Sequence, residues 1–360
     1  MYIYGDRKMK FLKYFLAFMF LSVLLIFILL RIPAVEDKVL TSALNNLLNQ
    51  EVDLYDNSLT ALVCGSRSPL PHPRRAETCV LINAGGSYYV IDVGDGSVSN
   101  LRNYGVNLGK IKAVLLTHLH SDHISDLADI HMGTWIAQSR TKRLDVYGPS
   151  GVELVTKGFE DTYKLDYKYR NEHHGDEVAP INIAGFDPHP VDLLNPVVIN
   201  ENGLKVTAFK VSHDPVKPAL GYRFDFKGRS IVISGDTSYS ENLITHAKDA
   251  DVLFHEAQAN HILEMMKGVF DKAGDPLTAK ILDDITTYHT TPKDAAKVAN
   301  LANVDHLVFY HLTPSPRNSI MERIFFRGVN KIREDWSVVD DGTMVVLPLN
   351  SKDIIISSIN

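Results

Sequence analysis

Four potential metal ligands crowd into six residues, His118-Leu-His120-Ser-Asp122-His123, directly behind the apolar run Ala113-Val-Leu-Leu-Thr117. A short apolar run bounded by polar residues predicts a buried strand, so the cluster occupies the loop beyond its carboxyl end. In extended chain His118 and His120 point to the same side. Asp122 and His123 follow where the chain can turn into a helix predicted over 125–138, which brings a carboxylate and a third imidazole back to one point. Nitrogen donors with a carboxylate suit zinc and neighbouring transition metals, and four donors so close together can hold more than one ion. The alternative, four unrelated polar side chains in a surface loop, leaves the spacing without a reason.

The same placement recurs along the chain. His213 follows a predicted strand at 204–212, Asp236 of Ser234-Gly235-Asp236-Thr237 ends another at 229–234, and His311 follows a third at 307–310. A single histidine at a strand end is more often packed or solvated than liganding, but three repeats beside the cluster favour one shared site. His289 is a further candidate. It precedes a helix over 291–303 whose start is marked by a capping Thr291, Pro292 at the first helical position and Asp294 three residues after the cap.

From residue 59 onward the chain reads as short β-rich runs separated by turn residues, at 59–64, 79–84, 88–93, 113–117, 144–147, 204–212, 221–226, 229–234, 252–255, 307–310, 337–339 and 343–348. Lys227-Gly228 reads as a tight hairpin turn. Helical patterns at 125–138, 240–248 and 291–303 fall between strands, so the class is α/β in packed layers. No internal repeat or low-complexity segment is evident.

The start of the chain is different. Residues 14–30 carry no charge and are mostly Phe, Leu and Ile, close to the ~20 residues that span hydrocarbon as a helix. Arg7, Lys8, Lys10 and Lys13 precede the run, so the positive-inside bias predicts a cytoplasmic N-terminus and an extracytoplasmic remainder, at a bacterial inner membrane facing the periplasm. A cleaved signal peptide is the rival, but its apolar core is shorter and a small-residue cleavage site is missing after Leu30. Residues 34–58 read as an amphipathic connector, with Val39, Leu40, Leu44, Leu47 and Leu48 at helical spacing. The formal charge is −6 overall, and residues 1–31 contribute +4, so the remainder carries −10. A body that acidic is not expected to bind nucleic acid in general, because such binding rests on phosphate neutralisation. Cys64 and Cys79 can form a disulfide in an oxidising compartment or remain two buried thiols.

With these residues in view, the chain from about 59 to 348 resembles the metallo-β-lactamase superfamily and, within it, the ribonuclease Z branch that includes a group of arylsulfatases and phosphodiesterases. The resemblance rests on His118-Leu-His120-Ser-Asp122-His123, on His213 with Gly221-Tyr222-Arg223 eight residues on, on Gly235-Asp236-Thr237, and on His289-Thr290-Thr291 and His311. Cys64-Gly65-Ser66-Arg67-Ser68-Pro69-Leu70-Pro71 is similar to the opening loop of the arylsulfatase-like members, with Arg67 where glycine is usual. The resemblance implies an αββα sandwich, here preceded by one transmembrane helix, and two zinc ions, with manganese or iron as alternatives. It implies His118, His120 and His213 on the first metal, Asp122, His123 and His311 on the second, and Asp236 bridging. Asp122 and His289 take the catalytic roles, Asp122 orienting water activated by the metals and His289 giving a proton to the leaving group. Asp92 matches an aspartate that supports the ligands, or is simply a turn residue before Gly94. Glu256 pairs with His289 or makes a structural hydrogen bond.

Ribonuclease Z holds tRNA with a projecting, basic, glycine-rich arm, whereas residues 156–198 here are mixed and acidic. Their Phe159, Tyr163 and Tyr167 share one helical face, read as packing. The division expected is 1–33 cytoplasmic tip and anchor, 34–58 connector, 59–350 hydrolase domain with insertions at 156–198 and 258–288, and 351–360 tail. The function expected is a membrane-anchored binuclear hydrolase of phosphodiester or aryl sulfate esters. Its expected partners are a small anionic ester, the lipid bilayer through 14–30 and, compatibly, a second copy as homodimer. The alternatives are a ribonuclease Z-type tRNA 3′-processing enzyme, a β-lactam or lactone hydrolase, and a non-catalytic metal-binding scaffold.

Overall fold

The structure, a computed structural model, describes residues 3–48, 51–138 and 140–359, without the side chains of 3–9 and 46–48. It divides into two units, Met1–Val52 and Asp53–Asn360. The first holds helices α1 (Ile3–Leu29) and α2 (Pro33–Leu48). Within α1, Lys10–Leu29 has a mean hydropathy of 2.5 and none of it is buried. Twenty helical residues rise about 30 Å, the thickness of a hydrocarbon core, so by length and composition this helix can cross a membrane. On α2, Val39, Leu40 and Leu44 are exposed, while the side chains of Leu47 and Leu48, like those of Arg7 and Lys8, lie outside the described residues.

The second unit begins with β1 (Ser58–Gly65), β2 (Cys79–Ala84) and β3 (Ser87–Ile91), then α3 (Ser97–Asn103), β4 (Ile111–Leu115), α4 (Ser121–Ile124), α5 (Leu127–Trp135) and β5 (Leu144–Gly148). The long α6 (Val152–Val178) and β6 (Phe186–Pro190) lead into a meander of β7 (Val197–Glu201), β8 (Leu204–His213), β9 (Val216–Phe226) and β10 (Arg229–Ile233). There follow α7 (Glu241–Ala247), β11 (Val252–Gln258), α8 (Asn260–Ala273), α9 (Pro276–Asp284), α10 (Pro292–Leu301), β12 (His306–Thr313), α11 (Ser319–Phe325), β13 (Trp336–Val338), β14 (Thr343–Pro348) and β15 (Ile355–Ser358).

These strands form two sheets, in the orders β15-β14-β1-β2-β3-β4-β5-β6 and β13-β12-β11-β10-β9-β8-β7. Each has a parallel half, β3 to β6 in one and β10 to β13 in the other, reached through helical crossovers. Apolar side chains from both sheets, among them Val80, Ile82, Val206, Tyr222, Phe224, Ile231 and Val345, meet in a dry core. A second apolar layer, with Leu253, Val298, Phe309 and Phe325, lies under α7, α10 and α11, and α3, α5 and α6 lie against the other sheet. The layers therefore run helix, sheet, sheet, helix. In the hairpin joining β9 to β10, Lys227 and Gly228 both take positive φ, 46° and 86°, as a two-residue turn requires.

Three strands escaped the sequence reading: β6, β7 and β15. All three are sheet edges, half-exposed and without the buried runs of the central strands. β6 even holds Pro188 and Pro190, which an edge tolerates because it need not donate to a neighbour. Residues 355–358, expected as tail, pair antiparallel with β14. The 156–198 region becomes α6 and β6, and Tyr167 packs with Trp135 and Ile183. The 258–288 region becomes the α8–α9 pair, with Ile262 buried and Met266 packed on the core. Cys64 and Cys79 are joined as a disulfide across the β1–β2 pair.

Candidate metal centre

The parallel strands of both sheets direct their carboxyl ends to one rim, and the polar residues beyond those ends converge there. His118 and His120 leave β4, and His123 and Asp122 sit on the short α4. His213 is the last residue of β8, and Asp236 follows β10. His311 lies within β12, not beyond it as the sequence reading had it. Glu256 pairs with Tyr310 and Ala257 with Leu312, so His311 is the extra residue of a bulge, with φ of +43°. A bulge re-aims one side chain out of the alternation, and here it turns His311 toward the site.

The donor atoms are close. The ligand atoms of His118, His120 and His213 lie within 4.8 Å of one another, as do those of His118, His123 and Asp236, and those of Asp122, His123 and His311. Asp236 is central: its Oδ2 is 3.4 Å from Nε2 of His123 and of His311, 3.9 Å from that of His118 and 4.0 Å from that of His213. Asp122 Oδ2 is 3.3 Å from His311 Nε2 and 3.6 Å from His123 Nε2. His120 Nδ1 is 2.9 Å from His118 Nε2 and 3.5 Å from His213 Nε2. Two ligands of one tetrahedral zinc sit about 3.4 Å apart for Zn–N bonds near 2.1 Å, so these separations match the edges of a coordination polyhedron. Asp236 Oδ1 and His123 Nε2 are buried without a hydrogen-bond partner among the described residues, which a cation between them would resolve. The donor set therefore fits divalent metal, nitrogen-rich in one half and mixed in the other.

Charge divides the donor set, with His118, His120 and His213 pushed toward the neutral form and His123 and His311 toward the charged one. Burial holds His118 well below the usual imidazole pKa, and also lowers His120 and His213. A neutral imidazole is the form that ligates. Burial opposes the charge on Asp236, but His311 and His123 keep its carboxyl well below the ordinary range. Burial likewise opposes charge on His123, yet Asp236, Asp122 and Asp92 carry it well above the usual value.

Supporting residues fix the rings. Asp92, at a positive φ of 56° just past β3, accepts from Thr117 N and Thr117 Oγ1 at 2.8 Å each, and its Oδ2 is 2.9 Å from His123 Nδ1. The carbonyl of Tyr288 accepts from His213 Nδ1 at 3.0 Å. Glu256 Oε1 accepts from Thr290 N at 2.9 Å and faces His289 Nδ1 at 3.2 Å. Burial disfavours charge on His289, but Glu256, then Asp236 and Asp122, raise its pKa. Its ring lies 5.1 Å from that of His213 and 5.9 Å from that of His311. Thr117 and Tyr288 were not singled out from the sequence. Thr117 stands directly before the histidine cluster, while the Tyr288 contact is made by a carbonyl and leaves no trace in residue type. Gly94 is equally necessary: a Cβ there would meet the Asp122 carbonyl at 2.2 Å and Glu77 Cβ at 2.4 Å.

A model of the beta-lactamase superfamily domain matches residues 78–312. The ribonuclease Z of Mycobacterium bovis (strain BCG / Pasteur 1173P2) is 30% identical over 261 residues, covering 71% of this chain and 87% of the relative. Among solved structures, the metallo-β-lactamase fold protein YhfI of Bacillus subtilis aligns with a TM-score of 0.57 at 19% identity, over 80% of this chain and 99% of its own. The human short-form tRNase Z aligns with a TM-score of 0.57 at 20% identity, with the same coverage. These relatives correct one expectation. A small anionic ester as partner, with no nucleic-acid binding, does not stand when the matching relatives are named ribonuclease Z; net charge over a whole domain is a poor guide to one substrate channel. They also favour the ribonuclease Z alternative over the aryl sulfate reading. By family model, by relatives and by fold, the chain belongs to the metallo-β-lactamase-fold hydrolases of the beta-lactamase superfamily, in their ribonuclease Z branch.

Proposed function

We propose that the chain is a divalent-metal phosphodiesterase of ribonuclease Z type that cleaves phosphodiester bonds in RNA. The observation that supports this most directly is the convergence of seven donors and a Glu256-held histidine on one rim, in a chain whose relatives carry that name over about 70% of its length. His118, His120 and His213 would hold one ion, Asp122, His123 and His311 the other, with Asp236 Oδ2 between them. Histidine-rich donors favour zinc, with manganese or iron as alternatives. Such ions supply positive charge to phosphoryl oxygens and acidify water for in-line attack.

The chain's own residues do the rest. Asp92 and the Tyr288 carbonyl hold His123 and His213 in the tautomers that leave Nε2 free to ligate. Asp122, at the same mouth as the exposed His120, accepts a hydrogen bond from the attacking water. His289 keeps a proton through Glu256 and gives it, from Nε2, to the departing ribose oxygen.

The test is the zinc-loaded full chain with a precursor tRNA bearing a 3′ trailer and, in parallel, bis-p-nitrophenyl phosphate. Release of the trailer by wild type and not by His120→Ala supports the reading. Turnover of neither phosphodiester by a zinc-replete chain refutes it.

We read Lys10–Leu29 as a membrane anchor, supported by its length and hydropathy and by the basic residues before it. Retention in the membrane after alkaline carbonate washing is the expected result. Alkaline phosphatase fused after Asn360 then reports the side: activity puts the site with RNA outside the cytoplasm, and silence puts it with cytoplasmic RNA.

A further inference from the structure

Beside the metal-centre rim lies a cavity of about 390 Å³ whose lining includes Thr291, Lys293, Phe325 and Arg327. Thr291 is two residues from His289, at most about 7 Å of chain. The residue between them, Thr290, is fixed by its N–H to Glu256 Oε1 at 2.9 Å and by its carbonyl accepting from Gln258 N at 2.8 Å. Phe325, 1% exposed, gives the cavity an apolar floor.

The charge of this cavity departs from that of the chain around it. No acidic side chain lines it, and neither Lys293 nor Arg327 makes a direct ion pair among the described residues, although Lys293 helps to lower the pKa of the neighbouring Asp294. Elsewhere on the surface, lysines have acidic neighbours: Lys157 with Asp161, Lys280 with Asp284, Lys297 with Asp294. In a chain of net −6, two cations without a direct ion-pair partner on one concave surface favour an anion there. Nor does α6 offer a strongly basic arm, since of its four Lys and Arg residues Lys157, Lys168 and Arg170 are each matched by an acid.

We propose that this cavity binds a phosphate of the nucleic-acid strand next to the scissile bond, with Lys293 and Arg327 as its contacts. This rests on the reading of the chain as an RNA phosphodiesterase. Cations facing phosphates make binding salt-dependent, with a slope of about 0.7 per phosphate on a single strand.

The experiment is steady-state cleavage of an end-labelled single-stranded oligoribonucleotide by the zinc-loaded full chain in detergent, across a potassium chloride series. Replacing both residues, Lys293→Ala with Arg327→Ala, should raise KM about tenfold and lower the slope of log kcat/KM against log salt by about 0.7 in magnitude, the share of the one phosphate they hold. The charge-keeping pair, Lys293→Arg with Arg327→Lys, should keep the slope. If the double alanine variant loses zinc, Lys293→Gln alone is read by the same slope, expected to fall by part of that ~0.7. An unchanged KM and slope, in a variant of an enzyme that does cut RNA, overturns the cavity assignment and leaves the RNA reading intact. A wild type that neither binds nor cuts RNA overturns both.

Discussion

Asp92 Oδ2 lies 2.9 Å from His123 Nδ1, and both oxygens of the same carboxylate are tied to Thr117. One buried aspartate thus sets the ring on which half of the donor set depends. Asp92→Asn keeps the size but replaces one carboxylate oxygen with an NH2 donor. Loss of such a partner typically weakens metal binding about 10- to 100-fold. Zinc titration against a chromophoric chelator should therefore show one weakened site of two, and two sites of unchanged affinity would remove Asp92 from this role.

The pairing of His289 with Glu256 predicts a dependence on the leaving group. Glu256→Gln and His289→Ala should each slow RNA cleavage by about 10²- to 10⁴-fold, the usual contribution of a general acid. With p-nitrophenolate, which departs without a proton, the loss should be far smaller. The double variant should be no worse than His289→Ala. Equal losses with both leaving groups would mean that the pair positions the loop and passes no proton.

The disulfide between Cys64 and Cys79 closes a loop of 15 residues. On the chain-entropy account that is about 3 kcal/mol of stability. Cys64→Ser with Cys79→Ser should lower the unfolding free energy by about that amount, read as a lower urea midpoint at unchanged slope, and dithiothreitol should do the same to wild type. A midpoint indifferent to reductant would mean that the surrounding strands carry the register alone.

His131 gives a pH dependence whose sign can be stated. It is buried at 1% exposure, its Nε2 accepts from Gly185 N at 2.7 Å, and burial lowers its pKa to about 3. Above pH ~6.5 both folded and unfolded chains carry it neutral, and it contributes nothing to pH dependence. As pH falls from ~6.5 toward 3 the unfolded chain takes up a proton that the folded chain refuses, so stability is lost, by up to about 5 kcal/mol. His131→Gln keeps an acceptor for Gly185 and should flatten denaturation midpoints across that window. A variant with the wild-type slope would assign the acid sensitivity to other groups.

The central strands and the donors at their ends were legible because burial on both faces writes an uninterrupted apolar run, and a ligand cluster at its end interrupts that run abruptly. The edges β6, β7 and β15 were not, because an edge needs neither continuous burial nor a full set of N–H donors. His311 was legible as a residue but not as a bulge. Only the mismatch of β12 with β11, a strand 50 residues upstream, creates the extra position. Tyr288 acts through its carbonyl, which every residue has, so no spacing could single it out. The acidic balance misled the reading of partners, since a net charge averages over the whole surface and says nothing of the charge at any one place on it.

Asp122 and His311 are 189 residues apart, yet their side chains meet at 3.3 Å. A ribosome making this chain therefore delivers His118 through His123 long before the bulge of β12 exists to complete their half of the centre. During that interval, on the two-metal reading proposed above, the early cluster would lack the imidazole of His311. The complete donor set exists only once the second sheet has closed, so the order of synthesis itself delays assembly of the site until the sandwich is built.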